Sequence, residues 1–290
     1  MRAAQWQDYE LLDTLDGERL ERWGDVLLIR PDPQILWSGE KKDPRWVQAH
    51  ARYQRSSSGG GKWQNYKKVP PVWKIHWNGL TFRLKTMGFK HTGIFPEQAV
   101  NWEFAMEKIR QAGRPPEDPV RVLNLFGYTG AATLACMKAG AVVTHVDASK
   151  GMVQWARENA EASGIADRPV RWLVDDCLKF VQREQRRGRT YDGIIMDPPS
   201  YGRGPGGEVW KLEEQLYSLI GQCVPILTEK PLFFILNSYT TGLSPSVMEY
   251  LLGVQLQKRF GGKVSSDEIG LPVTSTGLVL PCGSTAIYEA

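Results

Sequence analysis

Between residues 141 and 199 three short apolar runs each end on an acid, and a glycine turn precedes all three. No other feature constrains the fold as strongly. The runs are 141–147 (AVVTHVD), 171–176 (RWLVDD) and 193–197 (GIIMD). Near-continuous apolar runs of this length suit strands buried on both faces, as in a parallel sheet. Helically spaced stretches separate them, which predicts alternating strands and helices in an open α/β sheet. Such sheets bind ligands at the carboxyl ends of their strands, where Asp147, Asp175, Asp176 and Asp197 would stand.

The turn lies in 120–130 (VRVLNLFGYTG), between an apolar strand and an Ala/Leu-rich helix expected to end at Lys138, before Gly140. Gly127 and Gly130 would let the backbone approach a ligand closely, and the helix amino-terminus favours a negative group. The third glycine of the dinucleotide fingerprint is missing, which argues against a nicotinamide dehydrogenase. Asp147 falls about twenty residues past the turn, where a ribose-binding carboxylate is expected. Ser149 is expected to cap a helix running to about Ser163. Pro198 and Pro199 cannot donate to a ladder and so end the last strand. The Asp197 carboxylate and the carbonyl between the prolines then make an acceptor pair suited to a nucleobase edge, with Tyr201 against its face. Each acid could instead be a helix cap or a solvated residue. Three in series around one glycine turn favour a shared ligand.

These motifs together resemble a class I S-adenosylmethionine-dependent methyltransferase, and more narrowly the bacterial 23S ribosomal RNA base methyltransferases of the RlmI and RlmK type. The resemblance covers about Thr92 to Ala290 and implies a Rossmann-like, seven-stranded methyltransferase sheet with S-adenosyl-L-methionine as cofactor. It implies that Phe126, Gly127, Tyr128 and Gly130 line the methionine part, with Asn124 on the strand before them. It places Asp147, with Ala148 beside it, at the ribose hydroxyls. Asp176, preferred to Asp175 because it directly precedes the next helix, would meet the adenine amino group. Asp197, Pro198 and Tyr201 would form the catalytic end of the site, Asp197 also facing the cofactor. Residues 91–102 (HTGIFPEQAVNW) resemble the family's cofactor segment before the sheet and add Phe95 and Gln98. Here Glu97 replaces the usual acid, Ala99 stands where arginine is expected, and Asn124 replaces the commoner acid of the first strand.

Charge is distributed unevenly. Residues 1–40 carry 4 Lys/Arg against 9 Asp/Glu, residues 41–90 carry 12 against Asp43 alone, and residues 91–290 carry 20 against 22. The basic stretch is interleaved with Trp46, Tyr53, Trp63, Tyr66, Trp73 and Trp77. Cations that neutralise phosphates, with aromatic faces for unpaired bases, suit an RNA partner, expected to be ribosomal. The same aromatics could form the core of a small β domain with the lysines as its solvated face, and both readings are expected to hold in part. Residues 1–90 are therefore expected to be a β-rich, basic, RNA-binding domain, and 91–290 the methyltransferase domain. A hairpin is predicted over 72–85 through Asn78-Gly79. Lys67, Lys68, Arg203 and Lys211 are candidate RNA contacts, as is Trp210. The loops 56–62 and 202–207 are glycine-rich and could close on a substrate. A helix is predicted from Glu208 to about Leu227, a fifth strand over 231–239, and paired final strands within 277–290. No apolar run reaches membrane length, no amino-terminal signal is evident, and the four cysteines form no metal or disulfide pattern. A cytoplasmic enzyme without metal is expected.

Methylation at cytosine C5 requires a cysteine to add to the ring first. In the RlmI-type cytosine enzymes one follows the fifth strand, where this chain has Asn237-Ser238-Tyr239. Cys282 is the remaining candidate, though a buried structural thiol is the simpler reading. The chemistry thus leans to a ring nitrogen, guanine N7 first. A 5-methylcytosine enzyme, or a methyltransferase for a protein or small molecule, is the alternative.

Overall fold

The computed structural model describes residues 2–56, 60–203, 209–240 and 242–290. Residues 57–59 and 204–208, the centres of the two glycine-rich loops, lie outside that range. So does the Arg203 side chain, although its backbone is described. The chain forms two compact units: Met1–Ala99 with Gly270–Cys282, and Val100–Ile269 with Gly283–Ala290.

The first unit holds β1 (Arg2–Ala3), β2 (Tyr9–Leu15), β3 (Glu18–Trp23), β4 (Val26–Pro31), the short α1 (Arg45–Gln48), β5 (Ala51–Arg55) and β6 (Gly61–Asn65). Strands β2 to β6 form a five-stranded sheet in sequence order, antiparallel except for the parallel β4–β5 pair. Leu12, Leu20, Ile29, Trp46 and Ala49 pack as its core. The predicted hairpin is β7 (Trp73–Trp77) and β8 (Leu80–Leu84), with Trp77 opposite Leu80. Asn78 and Gly79 both have positive φ, 48° and 67°, as a two-residue turn matched to strand twist requires. Alternation is strict: Trp73, Ile75 and Trp77 are buried, Lys74 and His76 exposed.

The second unit carries α2 (Ala99–Gln111, which begins at the unit boundary), β9 (Arg121–Leu125), α3 (Ala131–Lys138), β10 (Val142–Asp147), α4 (Lys150–Ala162), β11 (Val170–Val174), α5 (Cys177–Arg186) and β12 (Gly193–Met196). A small hairpin, β13 (Tyr201–Arg203) and β14 (Val209–Lys211), precedes α6 (Leu212–Cys223). Then come β15 (Phe233–Ser238), α7 (Pro245–Leu252), α8 (Lys258–Phe260) and two strands that cross the unit boundary, β16 (Lys263–Pro272) and β17 (Val279–Glu289). The large sheet runs β1-β16-β17-β15-β12-β9-β10-β11. It has eight strands among the described residues, not the expected seven; the two-residue β1 is the addition. Strands β9, β10, β11, β12 and β15 run parallel to one another, and β17 is antiparallel to β15. The architecture is the expected Rossmann-like α/β sheet.

Two expectations needed correction. The helix predicted from Glu208 begins only at Leu212, because Val209–Lys211 pairs with Tyr201–Arg203 and the Leu212 N–H closes on the Ser200 carbonyl at 3.1 Å. Glu213 and Glu214 then occupy the first turn, where negative charge favours a helix. The final pair is β16 with β17, so one partner starts at Lys263, well before the 277–290 window. Its sequence, KVSSDEIGLP, has no apolar alternation over its first half to announce a strand.

Every residue of β12 and β15 is buried, and Phe233 and Phe234 are fully so. Each such phenylalanine stabilises the fold by roughly 2–3 kcal/mol relative to exposure. Among the described residues no helix is long and apolar enough to cross a membrane.

Candidate active site

The glycine turn stands at the carboxyl end of β9, next to β10 and β12. Its backbone is left-handed at three positions, Phe126 (φ 57°), Tyr128 (50°) and Gly130 (85°), two of them not glycine. Hydrogen bonds hold that uncommon geometry. The Gly127 N–H donates to the Val146 carbonyl at 3.0 Å, the Tyr128 N–H to Asp147 Oδ2 at 2.9 Å, and the Gly130 N–H to the Gly127 carbonyl at 3.0 Å. Phe126 N–H points at the buried Cys177 thiol, 3.3 Å away. From α4, Asn159 Nδ2 donates to the Thr129 carbonyl at 2.9 Å. Sequence reading missed Asn159. Its signal is a polar residue in step with Val153, Trp155, Ala156 and Ala160, the buried face of that helix.

Gly127 has a negative φ, so its small size serves another purpose than a left-handed bend. A Cβ there would lie 2.3 Å from the His145 imidazole. The ring is fixed by Thr133 Oγ1, 2.9 Å from Nδ1, and that hydroxyl accepts from Asn124 Nδ2 at 2.9 Å. Burial pushes His145 down to about 3, so the imidazole is neutral. The close approach expected toward a ligand is, at Gly127, an approach to this histidine. Asn124 commits its amide to the same buried chain. Gly127→Ala should therefore displace the turn: the expected cost is roughly 1–3 kcal/mol of stability, read from denaturant unfolding. The same substitution should cost much less in a His145→Ala background than in wild type, and an equal cost in both backgrounds would contradict the steric account.

Asp147 ends β10. Besides Tyr128 N–H, it accepts from Ser149 N–H at 2.8 Å through Oδ1. Two carboxylate oxygens offer about four acceptor positions, so capacity remains for two hydroxyls. Burial pushes its carboxyl up, and the two N–H donors oppose that. At the end of β11 the two acids differ. Asp175 is ion-paired with Arg183, whereas Asp176 caps α5 by accepting from Lys179 N–H at 2.8 Å. Both are half-buried, Ala148 is exposed, and Val174 beside them is 51% exposed, an apolar surface at the strand end.

β12 pairs with β9 so that Met196 faces Leu125, and Asp197 therefore leaves the sheet level with Phe126. Asp197 is half-buried, Pro198 buried, and Tyr201 is 54% exposed. The β13–β14 hairpin returns to this loop: Trp210 Nε1 donates to the Pro199 carbonyl at 2.6 Å, and its ring stands 5.6 Å from Phe126. Trp210 thus joins the Asp197 loop to the glycine turn. Only the pairing of β14 with β13 brings it there, and no local spacing announces that. Ser200 and Thr240 hydroxyls, 2.6 Å apart, tie the loop after β12 to the one after β15. Lys211 pairs with Glu214 at 2.7 Å on the exposed surface.

Phe95 and Gln98 belong to the first unit, at a 3₁₀ turn over Pro96–Gln98. Lys67 and Lys68 are there too, both exposed, with Lys67 Nζ donating to the Gln48 carbonyl at 2.7 Å. Cys282, also in the first unit, is buried, and burial pushes its thiol up.

A parallel sheet with a glycine turn after its first strand and acids ending the next three defines a Rossmann-like fold of the methyltransferase class. The model of the S-adenosylmethionine-dependent methyltransferase family matches residues 36–226, and the chain belongs to that family. A SAM-dependent methyltransferase from Agrobacterium tumefaciens, known from its crystal structure, is 37% identical, with a TM-score of 0.92 over 99% of this chain and 92% of that one. Ribosomal RNA large subunit methyltransferase K/L of Pseudoalteromonas atlantica is 25% identical over 208 residues, 60% of this chain and 28% of that protein. Ribosomal RNA large subunit methyltransferase I of Photobacterium profundum is 31% identical over 158 residues, 54% of this chain and 35% of that protein. The chain thus spans only about a third of the length of these two relatives.

S-adenosylmethionine is accordingly the cofactor. The residues present fit it: the turn's left-handed backbone is fixed by hydrogen bonds to Val146 and Asp147, and Asp147 retains acceptor capacity beside it.

Proposed function

We propose that this enzyme transfers the methyl group of S-adenosylmethionine to a base of ribosomal RNA, at a ring nitrogen, with guanine N7 first. The names of the two bacterial relatives support an RNA substrate, and the basic, aromatic first unit agrees with it. In this reading Asp147 accepts the ribose hydroxyls, Asp176 faces the adenine amino group with Asp175 held by Arg183, and Phe126 to Gly130 hold the methionine part. Asp197, Pro198 and Tyr201 position the target base. When bound, the cofactor supplies an electrophilic methyl on a sulfonium. Guanine N7 carries its own lone pair, so Asp197, Pro198 and Tyr201 would only have to position the base, and no residue would be needed to remove a proton.

The state of the cysteines carries the preference for nitrogen. All four are buried, and burial pushes every thiol up, Cys136 to about 12. A covalent route through C6 needs a thiolate that can reach the base. Cys282→Ala should therefore leave methyl transfer within about twofold of wild type, a change smaller than any lost nucleophile produces. Substantial loss would move the assignment to C5 chemistry.

The test is transfer of labelled methyl to unmodified ribosomal RNA, followed by nucleoside analysis. Labelled 7-methylguanosine is the expected product. Labelled 5-methylcytidine would overturn the nitrogen assignment. No labelled nucleoside, with cofactor bound, would overturn the RNA reading and point to a protein or small molecule.

A further inference from the structure

The aromatic residues of the first unit sort into two sets. Trp46, Tyr53, Trp73 and Trp77 are buried and serve the core. Part of what remains outside gathers on one face of the β5–β6 pair. Tyr53 lies opposite Trp63 and Arg55 opposite Gly61, so Tyr53, Trp63 and Arg55 share that face. The Tyr53 and Trp63 rings meet edge to face at 5.4 Å. Residues 88–91 are fastened across it: Trp63 Nε1 donates to the Phe89 carbonyl at 3.3 Å, and the Tyr53 hydroxyl to the Gly88 carbonyl at 3.4 Å. Phe89 is left 43% exposed, its ring 5.8 Å from His91.

The electrostatics of this face are lopsided. Burial, then Arg19 and Arg30, push Lys90 down to about 8; Arg55 adds to this and Asp32 opposes it. Burial, then Arg30, Lys90, Arg19 and Arg55, push His91 down to about 3, which leaves its ring neutral. Glu21 answers Arg30 and Asp32 answers Arg19 within the fold, so Lys90 and Arg55 are the cations of this face that a ligand would meet. An exposed aromatic ring beside like charges crowded together is an arrangement that an anion with a flat, apolar partner would relieve.

We propose that the face formed by Arg55, Trp63, Phe89, Lys90 and His91 binds single-stranded RNA, one unpaired base lying on Phe89 and a neighbouring phosphate against Lys90 and Arg55. The proposal rests on the RNA reading above and adds residues that reading does not use. Stacking on an aromatic face tolerates any base, so this face holds the strand and leaves the choice of nucleotide to the transfer site. A phosphate offsets the repulsion between Lys90 and Arg55, which an uncharged ligand does not; Arg30 is buried and already paired with Glu21. An acidic peptide would satisfy the cations but leave the Phe89 ring unused.

The experiment is fluorescence anisotropy of the intact chain with end-labelled single-stranded RNA of mixed sequence, at several salt concentrations. Phe89→Ala is expected to weaken binding about tenfold, and Phe89→Tyr to keep it. Lys90→Met and Arg55→Gln should each lower the salt slope by roughly 1. Arg55 is exposed, so its variant tests the idea even if Lys90→Met folds poorly. Unchanged affinity in Phe89→Ala, with unchanged slopes in the folded cation variants, overturns the proposal. So does poly-glutamate that displaces RNA equally from wild type and Phe89→Ala, which would indicate an acidic protein partner. The same preparations are assayed for methyl transfer to ribosomal RNA. Wild type that methylates RNA while the variants bind normally would sink this face alone; wild type that neither binds nor methylates RNA would sink both readings.

Discussion

Asp197→Ala is expected to lower kcat at least a hundredfold while changing the affinity for S-adenosylmethionine by less than about threefold. The expectation follows from place and stiffness. β12 is flanked by β9 and β15, all its residues are buried, and its register puts Asp197 level with the glycine turn. Two prolines follow at once, and Trp210 grips the second through its carbonyl. Transfer from a sulfonium is an in-line displacement in which the enzyme mainly positions two groups, and a misplacement of about 1 Å costs roughly a hundredfold. Losing a side chain that orients the base should therefore act on kcat and leave cofactor binding to Asp147 and the turn. Single-turnover transfer with saturating cofactor, beside equilibrium titration of the cofactor, separates the two. A variant with normal turnover removes Asp197 from the site. One that loses cofactor affinity in proportion to turnover makes it a cofactor ligand instead.

Much of this architecture was legible in the sequence because its signals are local. An apolar run closed by an acid, a glycine turn and a helix with Ser149 at its cap are read within about ten residues, and β9, α3, β10, α4, β11, β12 and β15 all lie where those signals placed them. Non-local contacts were not legible. Val209 and Trp210 fit a helical spacing as well as a strand, and only pairing with Tyr201–Arg203 decides between them. The return of Gly270–Cys282 to the first unit has no local mark. The interleaved tryptophans had two readings, surface or core, and burial assigns Trp46, Trp73 and Trp77 to the core. Gly127 illustrates the limit most clearly. A glycine in such a turn suggests room for a ligand, yet the nearest obstacle to a side chain is an imidazole eighteen residues further on.

The strongest test of the cofactor geometry is Asp147, whose replacement by alanine should weaken S-adenosylmethionine about a hundredfold. A hydrogen bond to a charged acceptor contributes about 1.5–3 kcal/mol, and two ribose hydroxyls make two of them. Since each 1.4 kcal/mol is about tenfold in affinity, a hundredfold loss lies at the lower end. Asp147 also holds the Tyr128 and Ser149 N–H groups, so part of any loss could come from a loosened turn. A cofactor analogue lacking the ribose hydroxyls separates the causes. It should bind wild type weakly and bind Asp147→Ala no worse, whereas a purely structural role would weaken both ligands equally. The pH dependence has a definite sign. Burial raises the Asp147 carboxyl above its ordinary value, so across that window the folded chain holds a proton that the unfolded chain has lost. Stability contributed by this group therefore falls as pH rises through the window. Hydroxyls bound to the ionised carboxylate reverse that preference, so cofactor affinity should rise with pH over the same window and be flat in Asp147→Asn. Equal pH profiles for wild type and Asp147→Asn would remove the carboxylate from the ribose.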